Sequence, residues 1–459
     1  MNAHSDVVII GAGSGGYACA FRAAQLGLTV TLIEQDAVGG TCLHRGCIPT
    51  KALLHAAEIA DSAREGAELG IDVELRGINL ELTNKYKSAV VAKLYKGLQG
   101  LIKAHRINLV TGRGDLIDAT TVRVGEDTYT GRAIVLATGS YPKTLPGLQF
   151  GDRVWSSDQA LRVDHVPKRV IILGGGVIGV EFASLWRSFG SKVTIIEALP
   201  HLVPAEDEWT SNQLERAFRR RGITIRTKAR FTGVECDEDA VRVALDSGEV
   251  LGADALLVAV GRGPRTDTAN LEQAGITLDR GFVVVDENLR TSLDGVYAVG
   301  DIVSGVQLAH RGFQQGIFVA ERIAGMSSAR PTESGIPRVT YSSPEVASVG
   351  LTEQQARNIY GEVETATYDL AGNGKSQILR SPGGVKLIQA GDGTSSPAVV
   401  GIHMVGPRVG ELVGEAQLIY NWNATAVDVA PYIHAHPSLG EAIGEAHLAL
   451  AGRPLHSHS

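Results

Sequence analysis

The sequence has few cysteines, no long apolar run and no long basic run, and each shortage excludes a class of protein. Four cysteines in 459 residues are too few for a disulfide-stapled scaffold. No apolar run reaches the roughly 18 residues of a membrane-spanning helix. The N-terminus enters an apolar strand pattern without a basic leader and cleavage site, so we expect a soluble, cytoplasmic protein with no membrane partner.

Charge argues against nucleic acid as a partner. The net charge is −7, whereas proteins that hold a phosphate backbone are usually basic. The densest basic stretch, Arg216 to Arg230, is interrupted by apolar residues. This pattern predicts a solvated helix face leading into a strand.

Glycine is abundant, with 55 residues, and much of it belongs to an internal repeat. Val7 to Glu34 reads VVIIGAGSGGYACAFRAAQLGLTVTLIE, and Val170 to Glu197 reads VIILGGGVIGVEFASLWRSFGSKVTIIE. Each copy predicts a buried strand, a glycine turn, a helix and a second strand that ends in glutamate. The matching positions are Gly11, Gly13, Gly16 and Glu34 in the first copy, and Gly174, Gly176, Gly179 and Glu197 in the second.

This repeat predicts two dinucleotide-binding sites in an α/β fold. The first glycine permits the tight turn, the second lets the backbone approach a pyrophosphate, and the third lets the helix pack against the sheet. The pyrophosphate would lie at the positive helix N-terminus, and the glutamate would accept hydrogen bonds from ribose hydroxyls. Glu197 would repel a 2′-phosphate, and no lysine or arginine follows it closely, which favours NAD over NADP. His201 is the nearest basic candidate, and we interpret it as a surface-loop histidine.

Two cysteines lie close together directly after the first unit. Gly39 to Leu54 reads GGTCLHRGCIPTKALL and contains Cys42 and Cys47. The residues from Pro49 onward favour a helix, so Cys47 is predicted near a helix N-terminus, where the dipole stabilises a thiolate. The spacer can bring the two sulfur atoms within bonding range, which indicates redox chemistry. The alternative is a pair of buried structural cysteines, the assignment we give to Cys19 and Cys236.

A second candidate segment lies near the C-terminus. His434 to Glu441 reads HAHPSLGE. A carboxylate five residues after His436 could hold one imidazole nitrogen and raise the basicity of the other. Taken alone, the segment fits a structural histidine better than a base, and its weight comes from the cysteine pair that accompanies it.

Both segments resemble motifs of the pyridine nucleotide–disulfide oxidoreductases. GGTCLHRGCIPTKALL resembles the family's redox-active disulfide motif, and HAHPSLGE resembles its acid–base motif. The resemblance runs the full length and includes GVYAVGD at 295–301, QLAH at 307–310 and VTYSSPEVASVG at 339–350. Within the family, the paired histidines and Glu197 are most similar to the branch that oxidises a lipoyl dithiol with NAD⁺.

The resemblance implies a role for each candidate residue. Cys42 would exchange with the substrate, Cys47 would lie against FAD, and His436, oriented by Glu441, would deprotonate the incoming dithiol. Lys51 and Glu181 would pair near the flavin N5. Further contacts with FAD would come from Gly114, Ala137, Thr138, Gly139, Asp301, Gln307, Leu308, Ala309 and His310, and Gly261 would contact NAD. No metal site is implied.

The resemblance also implies an architecture and partners. The expected α/β fold has two Rossmann-like domains, for FAD and NAD, and a C-terminal α+β dimerisation domain. The predicted boundaries are 1–148 for the first part of the FAD domain with the redox disulfide, 149–270 for the NAD domain, 271–337 for the second FAD part and 338–459 for the dimerisation domain. The histidine would belong to the partner subunit of a homodimer, and the expected partners are lipoyl domains and the E2 core of 2-oxo acid dehydrogenase complexes.

Three short segments depart from the family pattern, and three alternatives to the expected function remain. Ser14, His44-Arg45 and Phe313 to Gln315 differ from the usual residues, although none removes a chemical group needed for the reaction. A glutathione reductase would need basic residues near Glu197, and a mercuric reductase would need a C-terminal cysteine pair, whereas Cys236 is the last cysteine. A non-catalytic dinucleotide-binding protein would not need the cysteine and histidine motifs.

Overall fold

The first sheet of the molecule carries the first repeat. The computed structural model describes residues 2–330, 332–391 and 397–456. A mostly parallel sheet has the order β3-β2-β1-β6-β5-β4, and β19 pairs with β6. Its strands are β1 (Asn2–Ile10), β2 (Val30–Glu34), β3 (Asn108–Thr111), β4 (Gly114–Leu116), β5 (Thr121–Val124), β6 (Asp127–Leu136) and β19 (Val296–Ala298).

The second sheet carries the second repeat. It is parallel throughout, with the order β11-β10-β9-β15-β8. Its strands are β8 (Val154–Trp155), β9 (Arg169–Leu173), β10 (Lys192–Ile196), β11 (Thr224–Arg226) and β15 (Ala255–Val258). An antiparallel sheet of β12 (Phe231–Cys236), β13 (Val241–Leu245) and β14 (Val250–Ala253) follows β11 in the chain.

Two short antiparallel pairs and a third large sheet complete the strands of the described residues. β7 (Ser140–Pro142) pairs with β16 (Arg262–Pro264), and β17 (Leu278–Asp279) pairs with β18 (Phe282–Val283). The third sheet is antiparallel, with the order β20-β21-β24-β23-β22. Its strands are β20 (Arg338–Thr340), β21 (Glu345–Gly350), β22 (Val363–Asp369), β23 (Gly384–Ala390) and β24 (Val399–Gly406).

The helices cover these sheets. Those of the first two thirds of the chain are α1 (Ser14–Gln25), α2 (Gly40–Arg45), α3 (Cys47–Glu65), α4 (Leu80–Ala104), α5 (Ser157–Ala160), α6 (Val177–Ser188), α7 (Glu208–Arg220) and α8 (Ala309–Ile323). Those around the third sheet are α9 (Glu353–Tyr360), α10 (Gly374–Leu379), α11 (Val409–Asn421), α12 (Ala426–Val429) and α13 (Glu441–Leu450). Short 3-10 turns occur at Gly66–Leu69, Gly300–Ile302, Glu333–Gly335 and Leu370–Gly372.

The apolar runs of both repeats form buried central strands, as predicted. Val7, Val8 and Ile9 in β1 are fully buried because helices or other strands cover both faces of the sheet. The corresponding run in β9 is equally buried. The two predicted strand–helix–strand units, β1-α1-β2 and β9-α6-β10, are therefore confirmed.

The expectations for the basic stretch and for the two cysteines outside the pair have different outcomes. The basic stretch forms the end of α7 and then β11, as predicted. The assignment of Cys236 as a buried cysteine is wrong, because Cys236 is exposed at the end of β12, whereas Cys19 is buried inside α1. Val241, the partner of Cys236 in the register, is fully buried, so Cys236 is on the covered face and is exposed because it is the last residue of the strand. The predicted domain boundaries stay predictions.

The third glycine of each unit should be required for stability, and the second should not. A Cβ atom at Gly179 would overlap the carbonyl oxygen of Gly174, whereas one at Gly176 would meet no atom within 4 Å. We expect Gly179→Ala to destabilise the second unit by about 1–3 kcal/mol, because the helix must move away from the strand. Gly176→Ala, the matched control, should leave thermal unfolding nearly unchanged. Equal unfolding midpoints for the two variants would contradict this account of α6 packing.

Candidate active site

The first glycine turn forms an open cradle at the N-terminus of α1. Gly11 has φ +100°, and a Cβ there would overlap the carbonyl of Ala137, so only glycine fits. A Cβ at Gly16 would overlap the Gly11 carbonyl oxygen in the same way. At Gly13 the space is open, and no side chain caps the helix. The free N–H groups and the helix dipole therefore face a space that suits a pyrophosphate.

Glu34 borders this cradle at the end of β2. One carboxylate oxygen accepts the N–H of Ala12 at 2.7 Å, and the other accepts the N–H of Asp36 at 2.9 Å. These bonds fix the carboxylate in one orientation. Each oxygen keeps a lone pair that can accept a hydrogen bond from a ribose hydroxyl.

The second cradle repeats this geometry at the N-terminus of α6. Gly174 has φ +107°, and Gly176 begins an uncapped helix with open space beside it. Glu197 accepts the N–H of Gly175 at 2.7 Å and that of Leu199 at 2.8 Å. Among the described residues no lysine or arginine forms an ion pair with Glu197, so its charge remains available to exclude a 2′-phosphate.

Further predicted contact residues lie at the ends of neighbouring strands. Thr138 follows β6 and donates its hydroxyl to the Arg265 carbonyl at 2.6 Å. Gly139 and Gly261 adopt φ +80° and +101°, with open space beside each. Ala137 is buried in the turn before them, and Gly114 is buried in β4. Such turns at the carboxyl ends of parallel strands are where α/β sheets bind their ligands.

Asp301 and the QLAH segment lie together at the start of α8. The Asp301 carboxylate accepts the Ser140 hydroxyl at 2.6 Å, and its carbonyl accepts the Gln307 side-chain amide at 3.2 Å. Leu308 precedes the first turn of α8 without capping it through a side chain. His310 forms a hydrogen bond to the carbonyl of Pro337 at 2.7 Å. The predicted group is therefore one cluster.

The two cysteines face each other across the α2–α3 junction. Cys47 is the first residue of α3, as predicted, and Cys42 lies within α2; both are thiols. A hydrogen bond from the Cys42 thiol lowers the pKa of Cys47 to about 7, against the opposing effect of burial and with help from the charge of Lys51. The same hydrogen bond, with burial, raises the pKa of Cys42. Cys47 is therefore the cysteine of the pair that ionises to a thiolate at the lower pH.

The predicted contact between Lys51 and Glu181 is confirmed. Lys51 Nζ lies 2.8 Å from both carboxylate oxygens of Glu181, whose side chain is only 4% exposed. Burial lowers the pKa of Lys51, but the charge and hydrogen bonds of Glu181 outweigh it, and the net pKa is raised. The ammonium group therefore stays charged one helical turn from Cys47.

Sequence reasoning missed three residues of this region. Arg262 donates to the hydroxyl and the carbonyl of Ser140 at 2.8 and 2.9 Å, which connects it to the Asp301 cluster. Tyr17 lies within electrostatic range of both cysteines, and burial raises its pKa to about 12. Tyr341 contacts the Lys51–Glu181 pair. No sequence signal indicated these contacts, because each joins residues far apart in the chain.

The C-terminal histidine pair is ordered by two carboxylates. His436 Nδ1 lies 2.7 Å from Glu441 Oε1, which confirms the predicted contact, and Glu441 also accepts the Ser438 N–H at 2.7 Å. His434 pairs with Glu415 at 2.8 Å, and this hydrogen bond raises the pKa of His434. The His436 side chain is 75% exposed. In the described part of the chain, no hydrogen bond, ion pair or ring contact joins it to either cysteine.

The described residues contain neither a metal-binding cluster nor a membrane-spanning helix. Within residues 2–330, 332–391 and 397–456, no group of three or more histidine, cysteine or acidic side chains is arranged to hold a metal ion. No helix in that part of the chain is long and apolar enough to cross a membrane.

Comparisons with known proteins agree with this geometry. Residues 5–316 match the family described as pyridine nucleotide-disulphide oxidoreductase, and residues 336–447 match its dimerisation domain. The chain is 38% identical to a dihydrolipoyl dehydrogenase of Thermus scotoductus over 98% of both chains. It is 36% identical to a mitochondrial dihydrolipoyl dehydrogenase of Pisum sativum, covering 98% of this chain and 92% of the relative.

Solved structures give the same result for the fold. LpdA from Mycobacterium tuberculosis is similar with a TM-score of 0.90 at 26% identity, covering 98% of this chain and 99% of that one. RclA from Escherichia coli, an HOCl-induced flavoprotein disulfide reductase solved as a Cu(II) complex, has a TM-score of 0.87 at 28% identity, over 98% and 100% of the chains. The predicted fold class, α/β with a C-terminal dimerisation domain, is confirmed.

The hydrogen bond from Cys42 should set the pH at which the Cys47 thiolate forms. In a Cys42→Ser variant the hydroxyl can still donate to Cys47, whereas in Cys42→Ala no donor remains. Because that bond stabilises the charged form, we expect the thiolate in the alanine variant to appear at clearly higher pH. The measurement is ultraviolet thiolate absorbance against pH in the reduced protein, with Cys47→Ser as the blank. Identical midpoints in the serine and alanine variants would show that Cys42 does not set the pKa of Cys47.

Proposed function

The chain belongs to the pyridine nucleotide-disulphide oxidoreductase family, and from that premise we propose that it is a dihydrolipoyl dehydrogenase, which oxidises a dihydrolipoyl dithiol and reduces NAD⁺. The observation that carries the proposal is the cysteine pair at the N-terminus of α3. The Cys47 thiol has a pKa lowered to about 7 and lies one helical turn from the Lys51–Glu181 pair. A low-pKa thiol is the better leaving group in thiol–disulfide exchange, which suits it to be released when substrate attacks Cys42.

The two glycine cradles fit the two cofactors of this family, FAD and NAD. Both helix N-termini are uncapped, both have open space at the second glycine, and both have a fixed glutamate beside them. In the proposed assignment FAD is held by Gly11, Gly13, Gly16, Glu34, Lys51, Gly114, Ala137, Thr138, Gly139, Glu181, Asp301, Gln307, Leu308, Ala309 and His310. NAD is held by Gly174, Gly176, Gly179, Glu197 and Gly261. When bound, FAD supplies two-electron transfer between the dithiol and the nicotinamide.

The cysteines carry out the exchange with the substrate. A thiolate of the substrate attacks Cys42 Sγ of the oxidised pair. A mixed disulfide forms between the substrate and Cys42, and Cys47 is released as a thiolate. The second substrate thiol then displaces Cys42, so the substrate leaves oxidised and the enzyme pair holds two more electrons. Lys51 stabilises the Cys47 thiolate throughout.

His436 would remove the proton from the attacking thiol. Glu441 accepts a hydrogen bond from Nδ1 of this imidazole, which leaves Nε2 as the basic nitrogen. Because His436 is exposed on the segment matched as a dimerisation domain, we assign it to the cysteine pair of the partner subunit. The exposed apolar side chains of Tyr432 and Ile433 beside it support contact with a second chain.

The proposed function also implies an oligomeric state, partners and a location in the cell. The protein is a homodimer that takes its dithiol from lipoyl domains and associates with the E2 core of 2-oxo acid dehydrogenase complexes. We propose the domain division 1–148, 149–270, 271–337 and 338–459, which agrees with the separate sheets. A cytoplasmic location is supported by the exposed free thiol of Cys236, because a reducing compartment preserves such thiols.

Steady-state turnover tests the proposed function directly. Dihydrolipoamide with NAD⁺ should be turned over rapidly, and NADP⁺ should be used at least about tenfold less efficiently because of Glu197. The matched reaction is reduction of glutathione disulfide by NADPH, which we expect to be negligible. Faster turnover of glutathione disulfide than of dihydrolipoamide would reject the proposal in favour of a glutathione reductase.

Mixed dimers test the shared site. Cys47→Ser and His436→Gln are each expected to be inactive as homodimers. Co-expressed with different affinity tags and purified through both, the mixed dimer has one site with both defects and one site with neither. We therefore expect about half of the wild-type activity per dimer. If each chain used its own histidine, both sites would carry a defect and the mixed dimer would be inactive.

A further inference from the structure

The segment 341–343, which follows β20, lies against α6 and against α3, the helix that begins at Cys47. The backbone N–H of Tyr341 donates to Glu181 Oε1 at 3.0 Å, and its ring lies 4.7 Å from Lys51 Nζ. Ser343 donates its N–H to the Ser184 hydroxyl at 2.9 Å. A strand end of the third sheet is thus docked on α6 and α3 beside the cysteine pair.

Arg221 secures this docking from a second side. It follows α7 and is largely buried, and it donates to the Ser343 carbonyl at 2.9 Å and to Ser184 Oγ at 2.8 Å. It also pairs with Asp61 of α3 at 2.9 Å. The position of Tyr341 relative to α3 is therefore fixed by bonds that do not involve Lys51 itself.

The Lys51 ammonium group consequently has two neighbours that attract its positive charge. Glu181 supplies the opposite charge, and the face of Tyr341 supplies the negative side of its ring quadrupole. Lys51 is four residues after Cys47 in α3, so both side chains lie on the same face of the helix. The ammonium position decides how strongly its charge acts on the Cys47 sulfur.

We propose that Tyr341 is a positioning residue of the redox site, whose ring holds the Lys51 ammonium group in place beside Cys47 while its N–H holds Glu181. The inference rests on the proposed function in one respect, the placement of Cys47 as the thiolate beside FAD. Tyr341 itself transfers no proton or electron. It links the dimerisation domain of each chain to the cysteine pair of the same chain.

Several titratable groups face this region and would contribute to any pH profile. Around Cys47 they are Cys42 from α2, Lys51 from α3, Glu181 from α6, Tyr17 from α1 and Arg262 from β16; around Tyr341 they also include Glu345 and Glu411. A test of Tyr341 must therefore compare variants in one common background, so that these groups are the same in every protein compared.

Three substitutions separate the ring from the rest of the side chain. Tyr341→Phe keeps the aromatic face, whereas Tyr341→Leu and Tyr341→Met keep apolar volume without it. All three keep the N–H that donates to Glu181. Tyr360→Leu, at the exposed end of α9, is the matched control for loss of a tyrosine in the same domain.

The experiment uses the FAD-loaded enzyme in a Cys42→Ser background, where Cys47 cannot form the disulfide. The long-wavelength absorbance of a thiolate beside oxidised FAD is titrated against pH. We expect Tyr341→Leu and Tyr341→Met to raise the midpoint by about 0.5 pH unit, roughly threefold in proton affinity, because a less confined ammonium group stabilises the thiolate less. Tyr341→Phe and Tyr360→Leu should titrate like the parent.

Three results would overturn the inference. An unchanged midpoint in a folded leucine or methionine variant shows that the ring does not position Lys51. An equal shift in Tyr341→Phe assigns the effect to the hydroxyl instead. Absence of the absorbance in the parent itself rejects the placement of Cys47 beside FAD, and with it both the mechanism and the inference, whereas the first two results leave the proposed function intact. Thermal unfolding of each variant identifies any that is misfolded.

Discussion

The ion pair between Lys51 and the buried Glu181 is the interaction on which the rest of the redox site depends. It joins α3, which begins at Cys47, to α6, which begins at the second glycine cradle. Loss of Lys51 would leave the buried Glu181 carboxylate without its counter-charge, at a cost of about 3–5 kcal/mol. The two helices are therefore held in one arrangement, and the cysteine pair keeps a fixed relation to the proposed nicotinamide site. The same ammonium group also stabilises the Cys47 thiolate, so one side chain fixes both the geometry and the charge of the site.

The two cradles show how one sequence pattern produces the same geometry at two places in the chain. In each, the glycines allow a helix to begin so close to a strand that a Cβ would overlap a backbone carbonyl. This close approach leaves the helix N-terminus uncapped and its N–H groups free, which costs stability unless an anion satisfies them. The cradles are thus shaped for their ligands before binding. The acidic residue at the end of the second strand is likewise fixed in advance by backbone N–H groups.

What could be predicted from the sequence was set by local patterns. The glycine turns, the N-terminal position of Cys47 and the bond between His436 and Glu441 all follow from residues within about one helical turn or one strand of each other. The contact between Lys51 and Glu181 came from family resemblance, because 130 positions separate the two residues. Tyr341, Arg262 and Tyr17 were missed for the same reason, since no periodicity in a single sequence encodes tertiary contacts. The wrong assignment of Cys236 has a related cause, because burial at the end of a strand depends on how far neighbouring segments extend over it, which the local pattern does not specify.

In the proposed dimer, the domain that contains the third sheet would contribute to the sites of both chains. Tyr341 directly follows the first strand of this sheet and touches the Lys51–Glu181 pair of its own chain. The C-terminal segment of the same domain exposes His436 to solvent. An exposed imidazole on a loop has no fixed relation to a substrate, and general-base catalysis requires one. In the proposed dimer the partner's surface would supply that relation. One domain would then position a lysine for its own site and a base for its partner's site. Because packed sheets deform little, a shift at the dimer contact would reach both sites together.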